Sequence, residues 1–369
     1  MISSSEAWGI DSLIAKAPEL QSALEEARRA AANVPWFPYD SLGNLEHLDR
    51  TLTGPCRNLS TLIAGGPVLD VGCGDGEMSF LLESVGLQVR AVDFSPTNAN
   101  RLEGIRTLKQ ALNSRVEIVD EDIDAGLRFS SEERFAATFL LGILYHLKNP
   151  FGVLETLAKH SRYCFLSTRI ARRTPDHVVN LDEYPLAYLV GPEELNADNT
   201  NYWIFSEKGL RLLIRRAGWV ICDFATFGNT VDSDPISPAG DERAFCLLRS
   251  RKLQTIDPGI EILSGWHSDE GGWRWTEGRF SLAITGTAEV TLTFWVNPKL
   301  IDQVGSITLR ARSETGDLPP CTFSSSGRHT YDVPSASGIL EFSTDKAIPP
   351  DDADPRERAL AVIEISRHA

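Results

Sequence analysis

The stretch Val68-Leu-Asp-Val-Gly-Cys-Gly-Asp-Gly76, in which an apolar run leads into a glycine-rich turn, constrains the fold most strongly. Gly72 and Gly74 let the backbone approach a ligand at a distance that any Cβ would prevent. A second apolar run, 88–93, ends in Asp93, 21 residues after Gly72. In doubly wound folds an acid near this spacing meets ribose hydroxyls.

Between Pro67 and Ser250, short apolar runs alternate with amphipathic stretches, which is typical of a parallel α/β sheet. We predict seven strands, at 67–71, 88–93, 116–120, 135–141, 162–168, 219–226 and 244–249. We predict helices at 75–84, 97–112, 150–159 and 206–217. The fold class is therefore α/β, with a doubly wound and mostly parallel sheet.

The motif Asp-x-Gly-x-Gly-x-Gly, followed by Val-Asp-Phe-Ser-Pro at 92–96, resembles the class I S-adenosylmethionine-dependent methyltransferases. A nicotinamide dehydrogenase has Gly-x-Gly-x-x-Gly, whereas the third glycine here arrives one residue earlier. The resemblance covers roughly residues 60–250 and implies a seven-stranded Rossmann-like sheet with S-adenosyl-L-methionine as cofactor.

The resemblance also implies roles for residues at the glycine loop and the second strand. Asp70 would meet the amino group of the methionine moiety, and Gly72 and Gly74 would line that moiety. Asp93 would accept hydrogen bonds from both ribose hydroxyls, and Phe94 would lie against the adenine. The alternatives are a tight turn for Asp70 and a solvated loop acid for Asp93.

Further cofactor contacts are implied after the third and fourth strands. Asp122 would accept from the adenine amino group and Ile123 would flank the ring, while Leu141 and Gly142 would contact the methionine portion through backbone groups. Asp122 has an open alternative as a solvated loop acid. Neighbouring acids are close enough in sequence to take its place: Asp120, Glu121 and Asp124.

The segment Leu141-Gly-Ile-Leu-Tyr-His-Leu-Lys-Asn-Pro150 is similar to a Leu-Tyr-His-Leu-x-x-Pro stretch in one methyltransferase branch. That branch includes the transferases that modify the wobble uridine of tRNA. His146 is a candidate catalytic base because histidine titrates near neutral pH, and Tyr145 is a candidate for positioning the acceptor. Alternatively, His146 braces the start of the helix at Pro150.

An insertion at about 169–205 is expected to cover the substrate. Arg169, Arg172 and Arg173 lie within five positions, so they form either a site for a phosphate or carboxylate or a solvated face. The aromatic segment Trp36-Phe-Pro-Tyr39 either closes over the cofactor or serves packing.

The composition changes after Arg251-Lys-Leu-Gln254, where alternating apolar runs are separated by Gly, Pro, Asn and Asp. This pattern predicts an all-β sandwich over 254–369. The stretch Glu261–Trp275, which contains Gly-Trp-His-Ser-Asp-Glu-Gly-Gly-Trp-Arg-Trp, resembles accessory β-domains of bacterial enzymes of surface-polysaccharide and glycan assembly. Four of the eight tryptophans lie within 254–369, and Trp266, Trp273 and Trp275 either stack on sugar rings or serve packing; Trp295 is the fourth.

The net charge of −15 opposes a nucleic-acid partner, because binding by phosphate neutralisation needs a basic surface and both parts of this chain are acidic. The six scattered cysteines have no zinc-ligand spacing, so we expect no metal and reduced thiols in a cytoplasmic protein. We also expect neither a secretion signal nor a membrane span. Nothing in the sequence indicates an oligomeric state.

The sequence thus predicts a helical N-terminal extension (1–60), a methyltransferase domain (61–250) and a β-sandwich (254–369). The expected function is S-adenosylmethionine-dependent methylation, on oxygen, of a small-molecule or glycan-type acceptor. One alternative is methylation or carboxymethylation of a tRNA wobble uridine. A second is a non-catalytic glycan-binding or assembly module with a vestigial cofactor pocket.

Overall fold

A computed structural model describes residues 8–63, 66–131, 133–253, 255–256, 259–268, 270, 273–352 and 354–368. The chain divides into two compact units, with the boundary between Ser250 and Arg251. Gln254, where the sequence places the start of the second domain, and positions 1–7 of the expected extension lie outside the described residues.

The first unit contains seven α-helices and nine strands among its described residues. The helices are α1 Ile10–Ala30, α2 Asn44–Thr51, α3 Leu59–Leu62, α4 Glu77–Ser84, α5 Glu103–Ala111, α6 Pro150–His160 and α7 Glu207–Arg216. The strands are β1 Val68–Val71, β2 Val89–Asp93, β3 Glu117–Asp120, β4 Phe135–Leu141, β5 Ser161–Ile170, β6 Ala187–Leu189, β7 Trp203–Phe205, β8 Trp219–Gly228 and β9 Glu242–Ser250.

These strands form one sheet in the order β3-β2-β1-β4-β5, parallel throughout that run. The strand β9 pairs antiparallel with β5 and β8. All seven predicted strands are present, but the expected total of seven is wrong. The insertion adds two short strands, because β7 pairs with the end of β5 and β6 pairs with β7.

Helices cover both faces of this sheet. One face packs against α1, α2, α4 and α5, and the other against α6 and α7. Side-chain caps fix the start of two helices, since Asn149 accepts from Gly152 N–H at the start of α6 and Ser206 accepts from Gly209 N–H at the start of α7. The strand order reverses between β1 and β4, so their carboxyl ends flank the crevice where doubly wound folds bind ligands.

The helix predicted over 97–112 is shorter in the structure and spans only Glu103–Ala111. Arg101 and Leu102 have φ values of 56° and 66°, a left-handed conformation that interrupts a helix. The Asn98 side chain holds this turn, because it accepts from the backbone N–H groups of Asn100 and Leu102. The helix α5 therefore begins after a turn that the Asn98 side chain holds.

The second unit is built almost entirely of strands. They are β10 Thr255–Ile256, β11 Ile260–Ile262, β12 Arg274–Trp275, β13 Arg279–Val296, β14 Ile307–Ser313, β15 Gly316–Asp317, β16 Cys321–Phe323, β17 Gly327–Thr344 and β18 Ala361–His368, with one helix, α8 Pro298–Val304.

The expected C-terminal β domain is present, and its described strands are connected by hydrogen bonds into one sheet. The two 18-residue strands β13 and β17 pair along most of their length and connect all other strands. Alternate residues of these strands are buried in a single apolar cluster. The core of this unit therefore lies against one face of these two strands.

The tryptophans of this unit divide between the core and the surface. Trp275 is buried, and the Trp266 ring lies edge-on to Phe280 while its Nε1 donates to the Ser281 carbonyl at 2.8 Å. Trp273 is half-buried edge-on to Trp275, and Trp295 is 44% exposed. Trp266 and Trp275 therefore serve packing, which was one of the two open hypotheses.

Candidate cofactor and acceptor site

The glycine loop between β1 and α4 turns through three glycines with positive φ. Gly72, Gly74 and Gly76 have φ values of 73°, 56° and 83°. The loop is held against β2, because Gly72 N–H donates to the Val92 carbonyl at 2.8 Å and Gly74 N–H donates to Asp93 Oδ2 at 2.9 Å. A Cβ at Gly72 would lie 2.2 Å from Ile143 Cγ1, so the close approach of the β4 loop also requires glycine there.

Two acids flank this loop with no cationic partner among the described residues. Asp70 is buried, and its Oδ2 accepts from the Ser79 hydroxyl at 2.6 Å. Burial raises the pKa of Asp70 to about 6, and the charge of Asp93 contributes in the same direction. Burial also raises the pKa of Asp93, although hydrogen bonds from Gly74, Phe94 and Asn98 oppose that shift. The loop therefore carries uncompensated negative charge.

The residues predicted around the adenine lie at the ends of β2 and β3. Phe94 is half-buried directly after β2. Asp122 Oδ1 caps a short 3-10 turn over Ile123–Ala125 by accepting from Asp124 N–H and Ala125 N–H, and Ile123 is buried beneath it. In the described part of the chain, no hydrogen bond reaches Asp122 Oδ2.

The three acids that could have replaced Asp122 have other partners. Asp120 accepts from Ser95 N–H, Glu121 pairs with Arg128, and Asp124 accepts from Asn149 N–H. The structure therefore leaves one oxygen of Asp122 without a hydrogen bond from the described residues, while the other oxygen caps the local turn.

The end of β4 borders open space. Leu141 is half-buried, and Gly142 N–H donates to the Ser167 carbonyl of β5 at 3.0 Å. A Cβ built at Gly142 would meet no atom within 4 Å. Ser167 is 1% exposed, and its hydroxyl has no hydrogen-bond partner.

His146 lies in a 3-10 turn after β4, where its hydrogen bonds define the tautomer. Its Nδ1 contacts the Thr200 carbonyl at 3.2 Å and Thr200 Oγ1 at 3.0 Å. The carbonyl only accepts, and Thr200 Oγ1 already donates to Asp198 Oδ1 at 2.6 Å. Nδ1 therefore carries the proton, and Nε2 carries the lone pair. Burial lowers the pKa of His146, which favours the neutral ring.

Tyr145 contacts both His146 and a strand residue that the sequence analysis did not single out. Its ring centroid lies 4.2 Å from that of His146. The guanidinium carbon of Arg243 on β9 lies 5.9 Å from the centroid of the Tyr145 ring. His146, Tyr145 and Arg243 therefore lie together beside the end of β4.

The predicted arginine cluster does not exist as one site. Arg172 forms a hydrogen-bonded ion pair with the fully buried Glu242 and also lies near Asp182 and Glu207. Arg169 is 4% exposed and lies opposite Arg243 on the neighbouring strand. Neither arginine is on a solvated face, so both hypotheses for the cluster are wrong for these two residues.

Residues 45–223 match the family model described as a methyltransferase domain. This region is a class I S-adenosylmethionine-dependent methyltransferase domain. Its cofactor is S-adenosylmethionine, and the uncompensated acids Asp70 and Asp93 fit that group because it carries a sulfonium and an ammonium.

The methyltransferase domain is also similar to curated proteins over part of its length. A ubiquinone biosynthesis O-methyltransferase of Xanthomonas oryzae pv. oryzae is 33% identical over 118 residues, which are 31% of this chain and 46% of that protein. A bifunctional methionine biosynthesis protein of Rhodopirellula baltica is 27% identical over 135 residues, 35% of this chain and 21% of that protein. The match to this chain thus covers slightly less than half the length of the ubiquinone biosynthesis relatives.

One similar solved structure is the N-terminal domain of EvdMO1 with SAH bound. It is 21% identical, has a TM-score of 0.41, and the match covers 62% of this chain and 96% of that one.

The N-terminal extension contacts the glycine loop of the methyltransferase domain through residues that sequence reasoning missed. Asp75 accepts from Phe37 N–H at 2.8 Å and from Asn100 Nδ2 at 2.7 Å. The Phe37 ring approaches Gly74, since a Cβ there would lie 3.4 Å from Phe37 Cδ1. Asp75 lies inside the motif, but its spacing did not reveal a partner 38 residues earlier.

Glu77 anchors the same extension one turn further along. It is 3% exposed, forms an ion pair with Arg28 of α1 and accepts from Ser41 N–H at 2.7 Å. An acid in the first turn of a helix is common for electrostatic reasons, so its position alone does not reveal this tertiary role.

The helix α2 contributes a second unpredicted residue, His47. Its ring lies 4.8 Å from Phe227 and 4.9 Å from Phe245, and its Nδ1 is buried without a hydrogen-bond partner. Burial is the largest cause of its lowered pKa, and the charges of Arg50 and Arg243 lower it further. His47 therefore lies near Arg243 on the face of the sheet that α1 and α2 cover.

Two kinds of site are not found in the described part of the chain. No group of three or more His, Cys, Asp or Glu side chains there is arranged to hold a metal ion. Among the same residues, no helix has both the length and the apolar composition that crossing a bilayer requires.

Proposed function

We propose that the protein is an S-adenosylmethionine-dependent O-methyltransferase that acts on a small-molecule or glycan-type acceptor. The observation that carries this proposal is the pair of acids beside the glycine loop, the buried Asp70 and the half-buried Asp93, which have no cationic partner among the described residues. An ionised carboxylate without a counter-ion is costly to bury, so such a pair is retained where a cationic ligand binds.

The cofactor contacts follow from this arrangement. Asp70 would hold the ammonium group, Asp93 and Asp122 would receive the ribose hydroxyls and the adenine amino group, and Phe94 and Ile123 would flank the ring. Gly72, Gly74 and Leu141 would contact the methionine portion. S-adenosylmethionine supplies an electrophilic methyl group when bound.

His146 would act as the general base. Its Nε2 carries the lone pair because Nδ1 donates to Thr200, and its lowered pKa keeps the ring neutral at pH 7. Nε2 can therefore take the proton of an acceptor hydroxyl as the oxygen becomes nucleophilic. Tyr145, whose ring contacts His146, would position that hydroxyl.

Two observations support oxygen as the atom methylated and a small molecule as the acceptor. The Xanthomonas relative is named as an O-methyltransferase of ubiquinone biosynthesis, although it is similar over only 118 residues. The charge of −15 opposes a polyanionic acceptor such as tRNA. The absence of a disulfide among the six cysteines, all of which the structure describes, is compatible with the cytoplasmic location that we propose.

The test combines cofactor titration with a turnover assay. We expect calorimetry to detect S-adenosylhomocysteine binding and the turnover assay to detect methylation of hydroxyl acceptors. His146→Asn should lower kcat by about 10²- to 10⁴-fold without changing cofactor affinity. In the wild type, kcat/KM should fall as the pH drops through the lowered pKa of His146, and the variant should lack that limb of the profile.

His160→Asn is the matched control, since that histidine lies at the far end of α6 with Nδ1 near the Glu133 carbonyl. It should leave kcat unchanged. If calorimetry detects no heat and the protein shows no thermal stabilisation at millimolar cofactor, the enzyme proposal is refuted and a vestigial pocket is favoured. Methylation of tRNA instead of small hydroxyl acceptors would favour the wobble-uridine alternative.

A further inference from the structure

Arg243 on β9 is a cation with unused hydrogen-bonding capacity beside the candidate reaction centre. Its Nε donates to Asp241 Oδ2 at 3.2 Å, and its guanidinium carbon lies 5.9 Å from the centroid of the Tyr145 ring. A guanidinium has five N–H donors in a planar fork, so other donors stay open. Burial would lower the pKa of Arg243, but Tyr145 and Asp241 raise it above its ordinary value, so the group is a permanent cation.

The neighbouring Arg169 differs because the protein satisfies most of its charge and donors. It lies 3.2 Å from Asp241, donates to the Asp234 and Ser237 carbonyls at 3.0 and 2.6 Å, and is held near the charged Asp234 carboxylate. Arg169 and Arg243 are register partners on antiparallel strands, where like charges repel. Asp241 is their shared counter-ion, and Arg169 already engages it, so Arg243 is incompletely neutralised.

Strand register places this cation on the same sheet face as the open end of β4. Leu141 pairs with Ser167, and Ser167 pairs with Phe245, two residues along β9 from Arg243. The buried Ser167 hydroxyl has no partner. Arg243 is also close enough to His47 and His146 to lower the pKa of each, although burial is the largest cause in both cases.

We infer that Arg243 is a specificity-determining residue that binds a carboxylate of the acceptor while the acceptor hydroxyl lies at Tyr145 and His146. The inference rests on the proposed function and narrows it to acidic hydroxyl compounds, such as hydroxyaryl acids or uronic acid sugars. A guanidinium fork is geometrically matched to a carboxylate, and the pair is stronger than a neutral hydrogen bond.

A carboxylate fits this position better than a phosphate because of charge. One guanidinium with open donors balances one negative charge, and the second arginine is committed to Asp234 and Asp241. A phosphate dianion would add negative charge beside Asp241 and Asp198 that no further cation in the described cluster balances.

The test compares small probes that carry a carboxylate, a neutral amide or a phosphate. Benzoate, its neutral counterpart benzamide, and inorganic phosphate are titrated into the full chain with and without S-adenosylhomocysteine, with thermal unfolding and calorimetry as readouts. We expect benzoate to bind with a Kd of about 1 mM and benzamide and phosphate to bind more weakly. Arg243→Gln should weaken benzoate binding by at least about tenfold, and Arg243→Lys by less, because lysine keeps the charge but not the fork.

Arg211→Gln is the matched control. Arg211 also pairs with an acid, Glu207, and lies over an aromatic ring, Phe224, but it belongs to α7, which covers the other face of the sheet. It should leave benzoate affinity unchanged. The inference is overturned if wild-type protein does not bind benzoate, if benzamide or phosphate binds equally well, or if Arg243→Gln retains benzoate affinity.

The two proposals fail separately. S-adenosylhomocysteine affinity depends on the glycine loop and should be the same in the wild type and Arg243→Gln, which also verifies that the variant is folded. Loss of cofactor binding in the wild type refutes the proposed function, whereas cofactor binding without benzoate recognition refutes only the role of Arg243.

Discussion

The two units of this chain differ in the polar groups they bury. The first unit buries six charged side chains among its described residues: Asp70, Asp75, Glu77, Arg169, Asp234 and Glu242. In the described part of the second unit, the buried polar side chains are uncharged: Thr276, Thr293 and Ser313. Since buried charge is costly unless paired, the interior of the first unit requires charge partners that the described interior of the second unit does not.

The buried acids of the first unit differ in how well their charge is compensated. Glu77 and Glu242 each have an arginine partner, and Asp75 is held by hydrogen bonds from Phe37 and Asn100. Asp70 accepts from the Ser79 hydroxyl, has no cationic partner among the described residues and lies near the like charge of Asp93. The least compensated of these acids is therefore Asp70, which directly precedes the glycine loop in β1.

The largest expected effect concerns Asp70 and the pH dependence of stability. Its folded pKa of about 6 exceeds the ordinary value of 3.8, so the folded state binds more protons between these values. The free energy of unfolding should therefore fall by about 3 kcal/mol as the pH rises from below 3.8 to above 6. Asp70→Asn should be more stable than the wild type at pH 8 without cofactor and should lose that advantage near pH 4, as measured by chemical unfolding.

Asp354 of the second unit provides the opposite case. Its contacts with Arg356 hold its pKa well below the ordinary value, so its stabilisation is present at neutral pH and is lost as the pH falls. Asp354→Asn should therefore be less stable than the wild type at pH 8. If the stability of Asp70→Asn and that of Asp354→Asn, each relative to the wild type, change in the same direction as the pH rises, the distinction between the two units is wrong.

An intermediate effect is expected from Asp93→Ala. The substitution removes the acceptor for Gly74 N–H and the proposed acceptor for the ribose hydroxyls, so calorimetry should show S-adenosylhomocysteine affinity weakened by about 1–3 kcal/mol. Asp332→Ala is the control in the second unit, where that carboxylate accepts from the Thr291 hydroxyl at an exposed position. Unchanged affinity in Asp93→Ala would contradict the ribose role.

The smallest effect is expected when one aromatic residue in each unit is replaced by alanine. Phe37→Ala removes a ring that lies against Gly74 and should weaken cofactor affinity by about 1 kcal/mol, roughly fivefold. Trp295→Ala removes a 44% exposed ring from the second unit and should have no effect on that affinity. Equal losses in the two variants, measured by the same calorimetric titration, would show that the extension has no special relation to the loop.

Much of the first unit could be predicted from local patterns. Seven strands and the glycine loop follow from short apolar runs and from glycines that need positive φ, such as Gly72 and Gly76. Caps such as Asn149 and Ser206 mark helix starts because the signal lies within three residues. The extra strands β6 and β7 were missed because they are three residues long and depend on the edge of β5.

The sequence by itself determined the glycine loop, the acids that flank it and the order of elements, because these depend on short-range spacing and backbone sterics. Only the tertiary structure decided that Asp75 and Glu77 hold the N-terminal extension and that Arg243 meets Tyr145. It also decided which strands of the second unit pair with one another in a single hydrogen-bonded sheet. These outcomes depend on residues far apart in the chain, whose register and burial no local pattern specifies.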